Sequence, residues 1–128
     1  MPDKSLNVAF ASTAYGPLWA PAVSSWLTAV AYASRYFTVT NLGLLGGVGV
    51  TDRTYTHSAE NQLVADFLVD ERFTHLFCTE MDMILPPDAI VKLVEMDKSI
   101  ASGIYFLRNG RGQPCLYQKV LTSRENPY

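Results

Sequence analysis

Apolar residues in this chain fall into short blocks whose internal spacing switches between two kinds. Leu6 to Ala11 is a brief run bounded by polar residues, as a buried strand would be, and Ser12-Thr13-Ala14-Tyr15-Gly16-Pro17 reads as the loop at its carboxyl end. Pro21 suits the first turn of a helix, and Val23, Trp26, Leu27, Val30 and Ala31 recur behind it at helical spacing. Phe37-Thr38-Val39-Thr40 is rich in β-branched residues and predicts a second strand, with Gly43, Gly46, Gly47 and Gly49 as a flexible connection. A second helix is expected from His57 or Ser58, its stripe formed by Leu63, Val64, Phe67 and Leu68 and its last turn holding Arg72. His75 to Thr79 predicts a third strand. Pro86 and Pro87 open a third helix with Ile90, Leu93 and Val94 inward, and Ile100 to Phe106 predicts a fourth strand. Strands alternating with helices imply an α/β fold: a mainly parallel, Rossmann-like sheet flanked by helices.

Composition narrows the class. The 128 residues are 48% hydrophobic and 17% charged, which excludes disorder as the default and suits one domain spanning 1–128. A net charge of −2 argues against a protein that neutralises phosphate backbones, so no nucleic-acid partner is expected. Arg35 is the one charged side chain between Lys4 and Asp52, but Pro17, Pro21, Ser24 and Ser25 interrupt that stretch short of a membrane span. No integral membrane segment and no signal peptide are expected. Cys78 and Cys115 stand far apart without CxxC spacing and read as reduced thiols, consistent with a cytoplasmic location.

The first candidate chemistry is the pair Glu80 and Asp82. On a strand continued past His75 in extended form, residues two apart project to one side, so both carboxylates would converge. Ligands of open α/β sheets bind at the carboxyl ends of strands, and two hard oxygen donors there suit Mg2+ or Mn2+. The same spacing also suits a solvated acidic turn. The glycines spell neither a dinucleotide fingerprint nor a P-loop. His57 and His75 lack a partner at metal spacing, and Trp19 and Trp26, in or beside the first helix, read as core.

The run Thr74-His75-Leu76-Phe77-Cys78-Thr79-Glu80-Met81-Asp82-Met83-Ile84-Leu85-Pro86-Pro87-Asp88 resembles the DXD segment of glycosyltransferases with the glycosyltransferase A fold, of the family 2 kind. There an apolar strand runs into an acidic triplet, then an apolar pair, a proline and a helix. Lys98 to Phe106 resembles the strand that follows that helix. The similarity covers about residues 7 to 117 and is strongest from Ser58 to Arg108. The resemblance implies that Asp82 is the principal metal ligand. Glu80, one methylene longer than the usual aspartate, would contact the nucleotide ribose or reach the metal through water. Met81 replaces a middle position that is often acidic. The segment Ser12, Thr13 to Tyr15 matches where such enzymes seat the nucleobase, with Tyr15 placed to stack on it. Asn61 fits an Arg-Asn pair of the family, whereas Glu60 stands where the arginine would be, and Arg53 is a candidate substitute.

The expectation is a metal-dependent glycosyltransferase-like domain that binds a nucleoside diphosphate sugar through Mn2+ or Mg2+ and passes the sugar to an acceptor the sequence does not identify. The family's second half, which supplies the acceptor site and a general base, is expected to be absent, whether as a truncated piece or a minimal relative. No catalytic base is therefore assigned. The alternatives are a noncatalytic nucleotide-binding module, a nucleotidyltransferase-like enzyme, and a structural α/β domain whose acidic pair is merely solvated.

Overall fold

The computed structural model describes residues 3–13, 16–45, 56–105 and 111, with the backbone alone at 41–45, 56 and 57. The chain divides into two compact units, Met1–Lys98 and Ser99–Tyr128. In the first, the elements run β1 (Asn7–Thr13), α1 (Ala20–Ala33), β2 (Thr38–Leu45), α2 (Thr56–Val69), β3 (His75–Glu80) and α3 (Ala89–Glu95). The three strands form one parallel sheet in the order β2-β1-β3. The result is a small α/β unit of the kind the alternation predicts, compatible with a Rossmann-like arrangement. Among the described residues no helix is long and apolar enough to cross a membrane.

β1 lies in the middle of the described sheet, and its alternation builds a core on both faces. Val8 and Phe10 join Phe77 of β3 beneath α1 and α3, while Ala9 and Ala11 face the side on which α2 packs Ala59 and Leu63. The Phe10 and Phe77 rings stack at 5.6 Å, and Trp26 of α1 tilts against Phe10 at 6.1 Å. The buried stripe of α1 is Ala22, Trp26, Ala29 and Ala33. The bulkier residues expected there sit elsewhere: Val23 and Val30 only flank the core, and Leu27 is 67% exposed. Three alanines let the helix backbone come close to the sheet, leaving the one large inward position to Trp26. On α2 the same rotation occurs, with Leu63 inward and Leu68 71% exposed.

Several boundaries differ from the sequence expectation. β1 runs two residues beyond Ala11, so Ser12 and Thr13 are strand residues and not loop. β2 continues to Leu45 and takes in Gly43, paired with Ala11, after a bulge at Leu42; Gly46, Gly47 and Gly49 lie outside the described residues. α2 ends at Val69, so Arg72 falls beyond its last turn and instead clamps Asp70, its Nε donating to Oδ1 at 2.8 Å. That contact holds the Asp70 carboxyl at about 2, below its ordinary 3.8. The turn at Pro87-Asp88 delays α3 to Ala89, and Val91 joins Ile90 inside. In the second unit, Ile100 to Tyr105 form no strand, and Ile100 is 89% exposed. β-branched composition does not substitute for a ladder partner, and Gly103 weakens the segment further.

Long-range polar contacts hold the helix ends and the loop after β3. Lys4 donates its Nζ to the carbonyls of Ser34 (2.6 Å) and Phe37 (3.3 Å), supplying the cation that α1 lacks in its own last turn. Trp26 Nε1 donates to the Met83 carbonyl at 2.8 Å, and the Ser25 hydroxyl accepts the Leu85 N–H at 3.0 Å. Ser25 Oγ in turn donates to the Ala22 carbonyl at 2.7 Å. At the end of α3, Asp97 adopts a left-handed backbone (φ 49°) that glycine enters more easily.

Three stability outcomes follow, each read by urea denaturation. Leu63→Ala, at a site 1% exposed, should lose about 2–5 kcal/mol, whereas Leu68→Ala should change stability by less than about 0.5 kcal/mol. Ser25→Ala leaves the Leu85 N–H without its partner and should cost about 1–2 kcal/mol, with faster hydrogen exchange at Leu85. Asp97→Gly should gain about 0.5 kcal/mol by relieving the left-handed backbone.

Candidate functional site

Because β1 and β3 are parallel and in register, their carboxyl ends meet at one edge of the sheet. Thr13 pairs with Glu80 and Ser12 with Thr79. Alternation sends Ser12 towards the α1 face and places Thr13 and Glu80 together on the α2 face. Ser12 and Thr13 are buried, and the Ser12 hydroxyl donates to the Thr13 carbonyl at 3.2 Å. Side-chain recognition by Ser12 at this edge would therefore require giving up an internal hydrogen bond. Glu80 is exposed, and among the described residues its carboxylate has neither a hydrogen bond nor an ion pair.

The strand ends at Glu80. The Met83 N–H donates back to the Glu80 carbonyl at 3.2 Å, so Glu80 to Met83 is a tight turn and not a continued extended run. This differs from the geometry expected of the acidic pair: simple strand alternation does not place Asp82 beside Glu80. Met81 packs against the α1-face core, and Asp82 is half-buried in the turn and already engaged with surrounding protein. The turn is held in place from below, since its last carbonyl, that of Met83, accepts the Trp26 indole N–H. A strand end followed by an anchored turn thus presents two acidic residues at the carboxyl edge of the sheet.

α2 contributes a third acidic residue nearby. Burial of its sulfur, and secondarily the Glu60 carboxylate, push the Cys78 thiol up from its ordinary value, although Cys78 as a residue stands exposed on β3. Cys78 shares its strand face with Glu80, so Glu60 adds negative charge to the same side of the sheet. Asn61 is exposed and sits about 200° around the helix from both Ala59 and Leu63, away from the sheet-facing stripe. The structure therefore sets Thr13 and Glu80 side by side on one face, keeps Ser12 on the other face of the same edge with Asp82 in the turn that follows, and leaves Asn61 outside the group. Tyr15 and Arg53 lie outside the described residues.

Two hard oxygen donors suit a Mg2+ or Mn2+ ion that takes its remaining ligands from water and substrate phosphates. Among the described residues no cluster of three or more His, Cys, Asp or Glu side chains could enclose a metal ion unaided. A metal ion held by Glu80 and Asp82 would therefore need further ligands from water or a bound substrate.

Ser25, Glu60 and Trp19 are the residues that reading the sequence undervalued. Ser25 acts through a partner sixty residues away, which no local pattern reveals. Trp19 stands 47% exposed ahead of α1 and is not core, whereas Trp26 is buried as expected. No protein-family model, no characterised protein and no solved structure matches this chain, so its reading rests on these residues and their placement.

Proposed function

We propose that the chain binds a nucleoside diphosphate sugar through a divalent cation at Glu80 and Asp82, as part of a glycosyltransferase of the glycosyltransferase A type. The observation that supports this most is the exposed Glu80 carboxylate at the carboxyl end of β3, which among the described residues has no hydrogen bond or ion pair, directly across from Thr13, with Asp82 in the anchored turn that follows. This is the edge at which parallel α/β sheets take ligands. The order of apolar strand, Glu-Met-Asp, prolines and helix resembles that family's metal segment.

Sugar transfer breaks the bond between the anomeric carbon and the diphosphate oxygen, whose electron pair leaves with the diphosphate. The acceptor oxygen bonds to that carbon and its proton departs to a base, which is not assigned to any residue here. A bound Mg2+ or Mn2+ offsets the charge that grows on the leaving diphosphate. Asp82 and Glu80 would hold that ion, and Thr13 at the end of β1 is the described residue of this edge nearest to Glu80 across the sheet. Trp26 and Ser25 act only as positioning residues, keeping the acidic turn at a fixed height over the sheet.

A thermal-shift screen of UDP-, GDP- and dTDP-sugars, each with and without Mn2+, tests this reading. A ligand at about 100 times its dissociation constant stabilises by about 2.7 kcal/mol, which is a readily measured rise in Tm. At least one diphosphate sugar should raise Tm only when Mn2+ is present. Asp82→Ala and Asp82→Asn should remove that rise while keeping the ligand-free Tm within a few degrees. No metal-dependent rise with any of them, or one that survives both substitutions, overturns the proposal. Retention of nucleoside triphosphates in preference to diphosphate sugars would point to nucleotidyl transfer, and binding without sugar release would point to a noncatalytic module.

A further inference from the structure

We infer that the outward face of α1 is a self-association surface whose occupant is the α1 helix of a second copy of this chain, packed antiparallel across a two-fold axis at Leu27. Helix α1 contains no charged side chain from Ala20 to Ala33, although one side of it faces solvent. Ala22, Trp26, Ala29 and Ala33 are its buried residues. At about 100° per residue, the opposite side carries Ala20, Ser24, Leu27, Thr28 and Ala31. All of these are exposed, Leu27 by 67%. A surface helix ordinarily turns charged groups outward. Here the outward polar groups are hydroxyls, and that of Thr28 already donates to the Ser24 carbonyl at 3.0 Å. Its proton is satisfied without water, so covering it orphans no donor.

Charge and symmetry both select a second copy. A partner that covers Leu27 must bring a face without charge, because an unpaired charge there would lose its water. Neither of the other described helices offers one: exposed positions of α2 include Glu60 and Asp66, and those of α3 include Lys92 and Glu95. A second α1 does. Leu27 lies at the midpoint of the helix, with Ala20 and Ser24 on one side of it and Ala31 on the other. Antiparallel packing therefore sets Leu27 against the partner's Leu27, and Ser24 against the partner's Ala31. These small residues let the two axes approach to about 8 Å. The same arrangement keeps the two Arg35 guanidinium groups at opposite ends of the pair, whereas parallel packing would bring them together. Arg35 is also turned onto its own Tyr32 ring, at 5.6 Å. A helix of this length is about 21 Å long, which puts the contact in the weak, reversible class that buries less than about 1,200 Å2.

Sedimentation velocity of the full chain from about 5 µM to about 500 µM tests this, with reductant present so that the exposed Cys78 cannot link copies. The wild-type sedimentation coefficient should rise with concentration from the monomer value towards that of a dimer. It should be the same at about 0.05 M and about 0.5 M salt, since no charge pair crosses the contact. Leu27→Glu and Leu27→Lys should each weaken association about 10-fold or more, with melting curves at low concentration that match the wild type. Mixing these two variants one to one should restore association beyond that of either alone, because the axis brings position 27 of both copies together. Leu68→Glu, at a residue 71% exposed on α2, should leave association unchanged. A wild-type protein that stays monomeric throughout overturns the proposal. So does association that survives Leu27→Glu, that is lost equally in Leu68→Glu, or that fails to recover in the mixture. The metal site stands or falls separately, by its own ligand screen.

Discussion

The Trp26 side chain joins the two parts of this structure that matter most. Its ring packs on Phe10, which itself stacks on Phe77, so helix α1 and strands β1 and β3 share one aromatic core. Its Nε1 leaves that core to bind the Met83 carbonyl at 2.8 Å. A buried indole N–H without an acceptor would cost about 1–3 kcal/mol, so the requirement that it be satisfied fixes the loop after β3 as firmly as the ring fixes the helix. Hydrophobic packing alone would leave that loop free to slide. The single polar atom on Trp26 gives it a defined position.

The candidate site inherits its geometry from that constraint. A parallel sheet brings the ends of β1 and β3 to one edge, but it does not decide what the chain does after Glu80. The return hydrogen bond from Met83 to Glu80 ends the strand, and the contacts from Trp26 and Ser25 hold the turn. Two acidic residues are thereby presented on a mount tied to the core and not on a long loop. Exposed Glu80 and half-buried Asp82 also differ in environment.

Much of the architecture was legible beforehand, for a specific reason. Leu6 to Ala11, Phe37 to Thr40 and His75 to Thr79 are apolar or β-branched runs too short for helices, and all three are strands. Pro21 marks the first turn of α1 as read. The errors cluster where local preference meets tertiary demand. Ser12 and Thr13 look like loop by composition, yet pairing on both sides with β2 and β3 carries the strand through them. Leu27 and Leu68 look like core by hydropathy, yet alanines face inward because the helices approach the sheet closely. Ile100 to Phe106 looks like a strand, and its described part, Ile100 to Tyr105, has no ladder partner among the described residues and is none.

Sequence by itself determined the alternation of strands and helices, the parallel sheet this implies, and the presence of an acidic pair just after the third strand. These are properties of near neighbours, set by side-chain periodicity and by backbone limits at proline and glycine. Tertiary structure alone decided which face of each helix is buried, that Glu80 stands opposite Thr13, that the strand stops before Asp82, and that Trp19 is left outside the core while Trp26 is enclosed. Each of those depends on groups far apart in the chain, such as Trp26 with Met83, Ser25 with Leu85 and Lys4 with Ser34. A hydrogen bond between distant residues leaves no periodic trace along the chain, because only the folded backbone brings its two ends together.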